Sequence, residues 1–446
     1  MLTYEATLSS IGLGFIVIMG ILVFLLPRKL ALLPIIITAC YITIEQQLLV
    51  FAFHFSAIRL VVLFSLLRLV IRGEVSAIKL NAIDKAIICW VIAGFVIYIL
   101  RSQTSEALVN RLGFVYNSIG FYFLFRFYIR DFNDIERLLK LISIVIIPLS
   151  MAMIYEYSTG RNLFSIFGAA PGITEMRGNR FRCQGPFSHP ILSGTFGATL
   201  VPILLARWFK KKNSKVLAAA GIISATIIMI TSASSGPLIA YIFGIVGLLM
   251  WPFRRSMRAV RWGILVILIS LHVVMKAPVW YLFSHLGVVL GSGGWHRSYL
   301  IDQAVAHVGD WWLLGTKDTG NWMPYALAIA PNSADITNQY IWEGITGGLL
   351  KMILFIIVII RCFRMIGLSL KKVEKSPFAE KIIIWSLGAS LFAHVISFLS
   401  VTYFDQIIVL WFLLLAMISV IGDSLNVRNG VIITVNGDES QLENFG

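Results

Sequence analysis

The chain has 446 residues, 58% of them hydrophobic and only 13% charged, with a mean hydropathy of +0.85 and a formal net charge of +15. A water-soluble domain does not tolerate that composition, so the chain reads as an all-α polytopic membrane protein. The positive charge suits basic loops resting on anionic headgroups of membrane lipids, and no nucleic-acid partner is expected.

A helix needs about 20 mostly apolar residues to cross a hydrocarbon core about 30 Å thick. About thirteen stretches qualify, within bounds of about 12 to 14 transmembrane helices. They are residues 9–26, 30–50, 57–72, 84–100, 108–128, 136–157, 189–207, 216–232, 235–252, 261–276, 340–361, 380–400 and 404–422. The first lacks a basic n-region and a small-residue cleavage site and reads as a retained span.

Alternate loops are basic: Arg28/Lys29; Arg72/Lys79/Lys85; Arg130/Arg137/Lys140; Lys210/Lys211/Lys212/Lys215; Arg254/Arg255/Arg258/Arg261; and Arg361 through Lys381. The bias of Lys and Arg toward cytoplasmic loops puts these inside. The N-terminus, two long polar segments at about 159–188 and 277–340, the Ser232–Ser235 turn and the Val401–Asp405 turn then fall outside. Residues 1–422 form one transmembrane domain, and 423–446 form a polar cytoplasmic tail that is loosely attached or disordered. Only Cys183 of the four cysteines lies in an outer loop, so no internal disulfide is expected. Neither a solenoid period nor a matched pair of broken helices is visible, which lowers the weight of an inverted-repeat transporter.

Arginine in both long outer segments runs against the charge bias, which points to selection by something anionic. The first constellation is Arg177-Gly-Asn-Arg180-Phe-Arg182-Cys-Gln-Gly185-Pro-Phe-Ser-His189-Pro190. Guanidinium is planar, permanently charged and suited to two-pronged binding of phosphate. Gly185 and Pro186 set a turn, and Pro190 falls at the start of the next helix, where its missing N–H is harmless. His189 reads as a helix-start hydrogen-bonding residue, and snorkelling to lipid headgroups is the competing explanation for the arginines.

The segment from Ala277 to Gln339 has a cap-like composition, with Trp280, Tyr281, Trp295, Trp311, Trp312, Trp322 and Tyr325 among glycines. These aromatics serve either as interface anchors or as platforms for sugar rings. Residues 297–308 fit a short amphipathic helix with Leu300, Ile301, Ala304 and Val308 on one face. Arg297 is a second phosphate ligand from a distant part of the chain; His296, Asp302 and His307 match no common zinc spacing. The third constellation, Asp335-Ile-Thr337-Asn338-Gln-Tyr340-Ile-Trp-Glu343, either caps a helix through Asp335 or Thr337 or forms a polar wall on a cavity. In the second case Asp335 takes a proton from an acceptor hydroxyl and Asn338 orients a sugar.

Taken in order, Arg182-x-x-Gly185-Pro-Phe-x-His189-Pro190, Thr231-Ser232-x-Ser234-x-Gly236, Arg297 with Trp311-Trp312-Leu-Leu-Gly315, and Asn338-x-Tyr340-Ile with Glu343 and Gly347 resemble the O-antigen ligase and Wzy-type polysaccharide polymerase superfamily. The resemblance covers about residues 100–360. It implies a GT-C-like, inverting, metal-independent glycosyltransferase without a cofactor, in a bacterial cytoplasmic (inner) membrane, with its active site on the extracytoplasmic face. The donor would be an undecaprenyl-diphosphate-linked oligosaccharide, with a chain-length regulator as a further partner. Arg182, Arg297 and Asp335 would be catalytic; Arg177, Arg180, His189, Asn338, Tyr340, Glu343 and Trp311 would bind substrate. Many ligases carry Arg where this chain has Ser235 and His where it has Thr337. Those departures favour a repeat-unit polymerase over ligase-type transfer to another acceptor, or a transporter of lipid-linked sugars.

Overall fold

The computed structural model describes residues 8–50, 53–75, 78–168, 170–209, 215–284, 294–323, 333–404 and 406–442. Lys210, Lys211 and Lys212 of one basic loop, Tyr325 of the cap, Asp405 of the last outer turn and Glu443 of the tail lie outside them.

Helices dominate, and several begin where a polar side chain accepts the first free amides. Ser9 caps α1 (Ser10–Leu25), Asn81 and Asp84 form a capping box on α4 (Ala82–Ser102), Thr104 caps α5 (Ser105–Val115) and Asp131 caps α7 (Phe132–Thr159). Between α1 and α4 lie α2 (Leu33–Tyr41), the hairpin β1 (Gln47–Val50) with β2 (Phe53–Ser56), and α3 (Ala57–Ile71). From α5 the chain passes through a π-helical turn at Tyr116–Gly120 into α6 (Phe121–Tyr128). A second hairpin, β3 (Met176–Arg177) with β4 (Arg180–Phe181), precedes α8 (Pro190–Leu205). Then come α9 (Lys215–Thr231), α10 (Ser235–Leu249), α11 (Met257–Val274), the cap helices α12 (Gly294–Ala306) and α13 (Val308–Trp311), and finally α14 (Gln339–Lys372), α15 (Phe378–Ser397) and α16 (Ile407–Leu442).

Among the described residues seven helices are long and apolar enough to cross a membrane, and α1, α9 and α10 are shorter apolar helices. The chain is therefore a multi-pass, all-α membrane protein. Nothing on α11 is buried, and Ile264, Val266, Ile267 and Ile269 are all exposed; such a helix makes sense only with lipid as its solvent. The expectation for 30–50 needs correction. Its helix α2 has nine residues, about 14 Å at 1.5 Å per residue, and the rest of the stretch turns into the β1–β2 hairpin. The tail differs too, since α16 stays helical to Leu442.

Hydrogen bonds sort the loops into two ends. At one end Arg28 binds the Tyr128 carbonyl and Asp134, Arg130 binds the Glu74 carbonyl, Asn81 binds Ser419 and Asp423, and Arg255 pairs with Glu374. Every loop in that set belongs to the basic group. At the opposite end Ser9 binds Gln46, Gln46 binds the Phe167 carbonyl, Gln406 binds the Ile42 and Pro186 carbonyls, and the Gln339 amide binds the Phe398 carbonyl. Both long polar segments join this second end, the loop end of the molecule.

One helix is interrupted. Gly347 and Gly348 leave helical geometry inside α14, Gly348 with a φ of +69° that favours glycine. The break frees backbone groups, and the cap segment Trp311–Thr316 takes them up. The Leu349 amide donates to the Trp312 carbonyl at 2.8 Å, and the Ile345 carbonyl accepts from the Thr316 amide at 2.9 Å and from Arg101 Nη1 at 2.7 Å. A side chain at Gly315 would collide with the Ile345 carbonyl, and one at Gly348 with the Leu313 carbonyl. The Trp-Trp-Leu-Leu-Gly motif thus seals a broken helix.

Candidate active site

The site begins with a two-residue turn. Gly178 and Asn179 both adopt positive φ, +54° and +58°, the conformation that joins the strands of a tight hairpin. Arg177 lies directly opposite Arg180, and the Arg182 amide donates to the Glu175 carbonyl at 2.8 Å, continuing the ladder by one pair. Side chains alternate along strands, so Glu175, Arg177, Arg180 and Arg182 share one face. Phe181 takes the other face and rests against Gly160. Like charges directly opposite repel, and one glutamate cannot offset three arginines.

The segment after the hairpin is fastened from below. Glu156 of α7, only 1% exposed, accepts from the Gln184 amide at 3.0 Å, the Gly185 amide at 2.9 Å and Thr174 Oγ1 at 3.1 Å. Asn162 Nδ2 holds the Gly185 carbonyl at 2.8 Å, and the Cys183 amide reaches the Thr231 carbonyl at 3.0 Å. Gly185 has φ +58°, and a Cβ there would stand 2.7 Å from Met153 Sδ. The turn at Gly185 is visible in the residue order, but Glu156 is not, because a lone glutamate late in an apolar helix shows no partner until the fold closes.

Arg182 is thereby carried to the turn between α9 and α10. Its Nη1 pairs with Glu175 at 2.8 Å and its Nη2 reaches Ser234 Oγ at 3.3 Å. Arg297 arrives from α12, and its Nη2 reaches Ser235 Oγ, also at 3.3 Å. Two guanidiniums from separate polar segments therefore meet on consecutive serines. Arg297 has no carboxylate partner among the described residues. Burial pulls both guanidiniums below their ordinary pKa, with Arg177 adding to the effect at Arg182 and Glu175 opposing it; arginine starts so high that both stay cationic. Gly236, next in the turn, lets α10 approach closely, since a Cβ there would lie 2.6 Å from Ser400 Oγ.

His189 caps α8, its Nδ1 accepting from the Ile191 amide at 3.1 Å. Burial and then Arg182 lower its pKa, while Glu175 and Asp335 act the other way, so Asp335 falls within electrostatic reach of the same group. Asp335 is exposed, with no hydrogen-bond partner among the described residues. It does not cap α14. Asn338 does, with Oδ1 accepting from the Tyr340 and Ile341 amides at 3.0 and 3.2 Å. The cap therefore falls to neither Asp335 nor Thr337, and the Asn338 carbonyl oxygen is already committed to the helix start. Arg182 Nε, His296 Nε2 and Thr337 Oγ1 are buried without a hydrogen-bond partner among the described residues.

Three expected substrate residues are turned into the bundle. Trp311 is buried, donates Nε1 to the Ala304 carbonyl at 2.8 Å and packs on Gly344. Tyr340 sits among Phe355 and Phe398 and donates to the Val395 carbonyl at 3.1 Å. Glu343 pairs with Lys351 at 2.9 Å and accepts from Trp90 Nε1 at 3.0 Å and Gln339 Nε2 at 2.6 Å. Sequence proximity to Asn338 set Tyr340 and Glu343 in one expected wall, but helical geometry points both inward. Arg177 and Arg180 stay exposed on the hairpin. In the cap, Asp302 binds Trp280 Nε1 at 2.6 Å and the Tyr281 hydroxyl, and His307 stacks on Trp322, so both are structural. The cap helix runs Gly294–Ala306, and Val308 begins the next helix and is exposed.

No family model matches the chain, and no curated protein matches it at a significant level.

Proposed function

We propose that this protein is a GT-C-like, inverting glycosyltransferase of the Wzy-type polymerase class, acting at the extracytoplasmic face of a bacterial inner membrane. It transfers a growing polysaccharide from a polyprenyl-diphosphate carrier to the non-reducing end of a second lipid-linked repeat unit. The observation that carries this reading is the meeting of Arg182 and Arg297 on Ser234 and Ser235.

In the reaction, a hydroxyl oxygen of the acceptor sugar attacks the anomeric carbon. The bond from that carbon to the diphosphate oxygen breaks, the diphosphate leaves with the electron pair, and the hydroxyl proton passes to a base. Arg182 and Arg297 bind the leaving diphosphate, with guanidinium supplying the countercharge. Arg177 and Arg180 extend the same face toward it. Among the described residues Asp335 is the exposed, unpaired carboxylate within reach of His189, and it takes the proton. Exposed Trp295, stacked on Tyr299 at 4.8 Å beside Arg297, offers a platform for a sugar ring. A lipid-linked donor suits cations lying at headgroup depth.

The test is purified protein incubated with a synthetic polyprenyl-diphosphate repeat unit in the presence of chelator, with products separated by size. A ladder that vanishes in Arg182→Ala and in Arg297→Ala is expected, and a normal ladder in both would sink the reading. A second reading, transport of lipid-linked sugars, is favoured by the break in α14 and the buried Glu343–Lys351 pair, since interrupted helices and intramembrane charges mark transport pathways. A deletion strain separates the two. Repeat units stranded on the inner face support transport; repeat units that reach the outer face unpolymerised support the polymerase.

A further inference from the structure

A larger pocket opens at the loop end, separated from the arginine cluster by two helices: α10 packs on α15, α15 on α14, α14 on α4, and α4 on α5. Its volume is about 820 Å³, and its walls are the β1–β2 hairpin, the end of α4 and the first turns of α5, with Lys317 of the cap at its edge. Phe53, Phe55 and Tyr116 make one side aromatic.

Its charge is unbalanced. Arg59 Nε donates to Asn117 Oδ1 at 2.9 Å and Nη1 to the His54 carbonyl at 2.7 Å, both neutral acceptors. Neither Arg59 nor exposed Lys317 has a carboxylate partner among the described residues. Glu106 is the one acid among the described wall residues, placed in the first turn of α5 where the helix dipole favours it. Behind Arg59, Asn117 also lines a cavity of about 110 Å³ that holds Arg111, Glu343 and Lys351. Arg111 lies 3.5 Å over the Tyr98 ring, with its Nε buried and unsatisfied, and Arg101 lies 4.7 Å over the same ring. Tyr98 itself is part of the larger pocket's wall. Arg101 is engaged by the Thr316 and Ile345 carbonyls and Lys351 by Glu343, so among the described residues of the two walls Arg59, Arg111 and Lys317 face only Glu106 and the shared Glu343. Cations kept in excess at membrane depth call for an anion. The wall they share contains the π-helical turn at Tyr116–Gly120, an irregularity frequent at functional sites.

We propose that this pocket binds a second phosphate-bearing isoprenoid lipid, its phosphates at Arg59 and Lys317 and its first isoprene units against Phe53, Phe55 and Tyr116. Naming that lipid the acceptor rests on the polymerase reading; its binding does not. Full-length protein in lipid nanodiscs is titrated with farnesyl diphosphate by calorimetry. Two sites are expected for the wild type and one for the Arg182→Ala/Arg297→Ala variant. On that background Arg59→Gln weakens the remaining site by about tenfold or more, Lys317→Glu weakens it as well, and Arg59→Lys keeps it. Lys317 is exposed, so its variant reports on binding even if the Arg59 substitution disturbs the hairpin. The proposal is overturned if the double variant binds nothing, or if the remaining site ignores both Arg59→Gln and Lys317→Glu. Inorganic diphosphate binding there as tightly as the isoprenoid would overturn the lipid as occupant. A wild type that shows a single site, unchanged in the Arg182→Ala/Arg297→Ala variant, would instead fault the active-site reading and leave this one standing.

Discussion

Arginines at the two ends of the molecule are treated in opposite ways. At the basic end each buried guanidinium has a carboxylate: Arg68 pairs with Glu74 at 2.9 Å, and Arg126 binds Asp84 at 3.1 Å and Asp423 at 2.7 Å. At the loop end Arg182 shares one half-exposed Glu175 with Arg177, Arg111 shares the field of Glu343 with Lys351, and Arg297 and Arg59 have no acid partner among the described residues. Charges paired inside the protein hold helices together. Charges left over at membrane depth cost stability and persist where they meet something that comes from outside.

The largest effect expected from that contrast is structural. Arg126→Ala strands Asp84, which is fully buried and also accepts from Tyr122 and Ser419. Breaking one side of a buried pair costs about 3–5 kcal/mol, so the variant should fail to accumulate in the membrane, as read by fluorescence-detected size exclusion. Arg182→Ala and Arg297→Ala should accumulate normally and lose about a hundredfold in rate, near 3 kcal/mol of transition-state stabilisation. Equal damage to folding at both ends would erase the distinction.

A smaller effect is expected one step behind the arginines. Glu156→Gln keeps the shape of the side chain but replaces one of two acceptor oxygens beneath Gln184 and Gly185 with a donor. An unsatisfied buried group of this kind costs about 1–3 kcal/mol. The hairpin should loosen, with faster trypsin cleavage at Arg177, Arg180 and Arg182 and activity down by about tenfold. Unchanged cleavage would show that the hairpin holds itself.

The same contrast explains what could be read from the sequence. Membrane class, the alternation of basic and polar loops, and the two arginine-bearing segments came from composition and charge, because lipid imposes them directly. Gly185 and Pro190 were legible as local backbone devices. Partnerships were not. The motif holding Ser234 and Ser235 does not say which arginines meet there, Glu156 shows no partner along the chain, and Glu343 stands near Asp335 only in sequence. Each acquires its role from residues far away in sequence, and periodicity carries no information about those. Nor does an apolar run such as 30–50 announce that its helix stops after nine residues and turns into a hairpin.

The smallest effect is a pH slope. His189 can cap α8 only with Nδ1 unprotonated, since that atom accepts the Ile191 amide. Burial and the Arg182 charge depress its folded pKa below the ordinary value near 6.5, so the unfolded chain takes up the proton first as the solution is acidified. The stability tied to a neutral His189 is therefore complete above about pH 6.5 and is lost as the pH falls toward and through the lower folded value. Asparagine offers the same kind of cap at every pH. His189→Asn should thus match the wild-type Tm at pH 7.5 and show a shallower fall in Tm toward about pH 5. An unchanged slope would assign the acid sensitivity to other groups, and Glu175 and Asp335, the carboxylates facing His189, would be the next to replace.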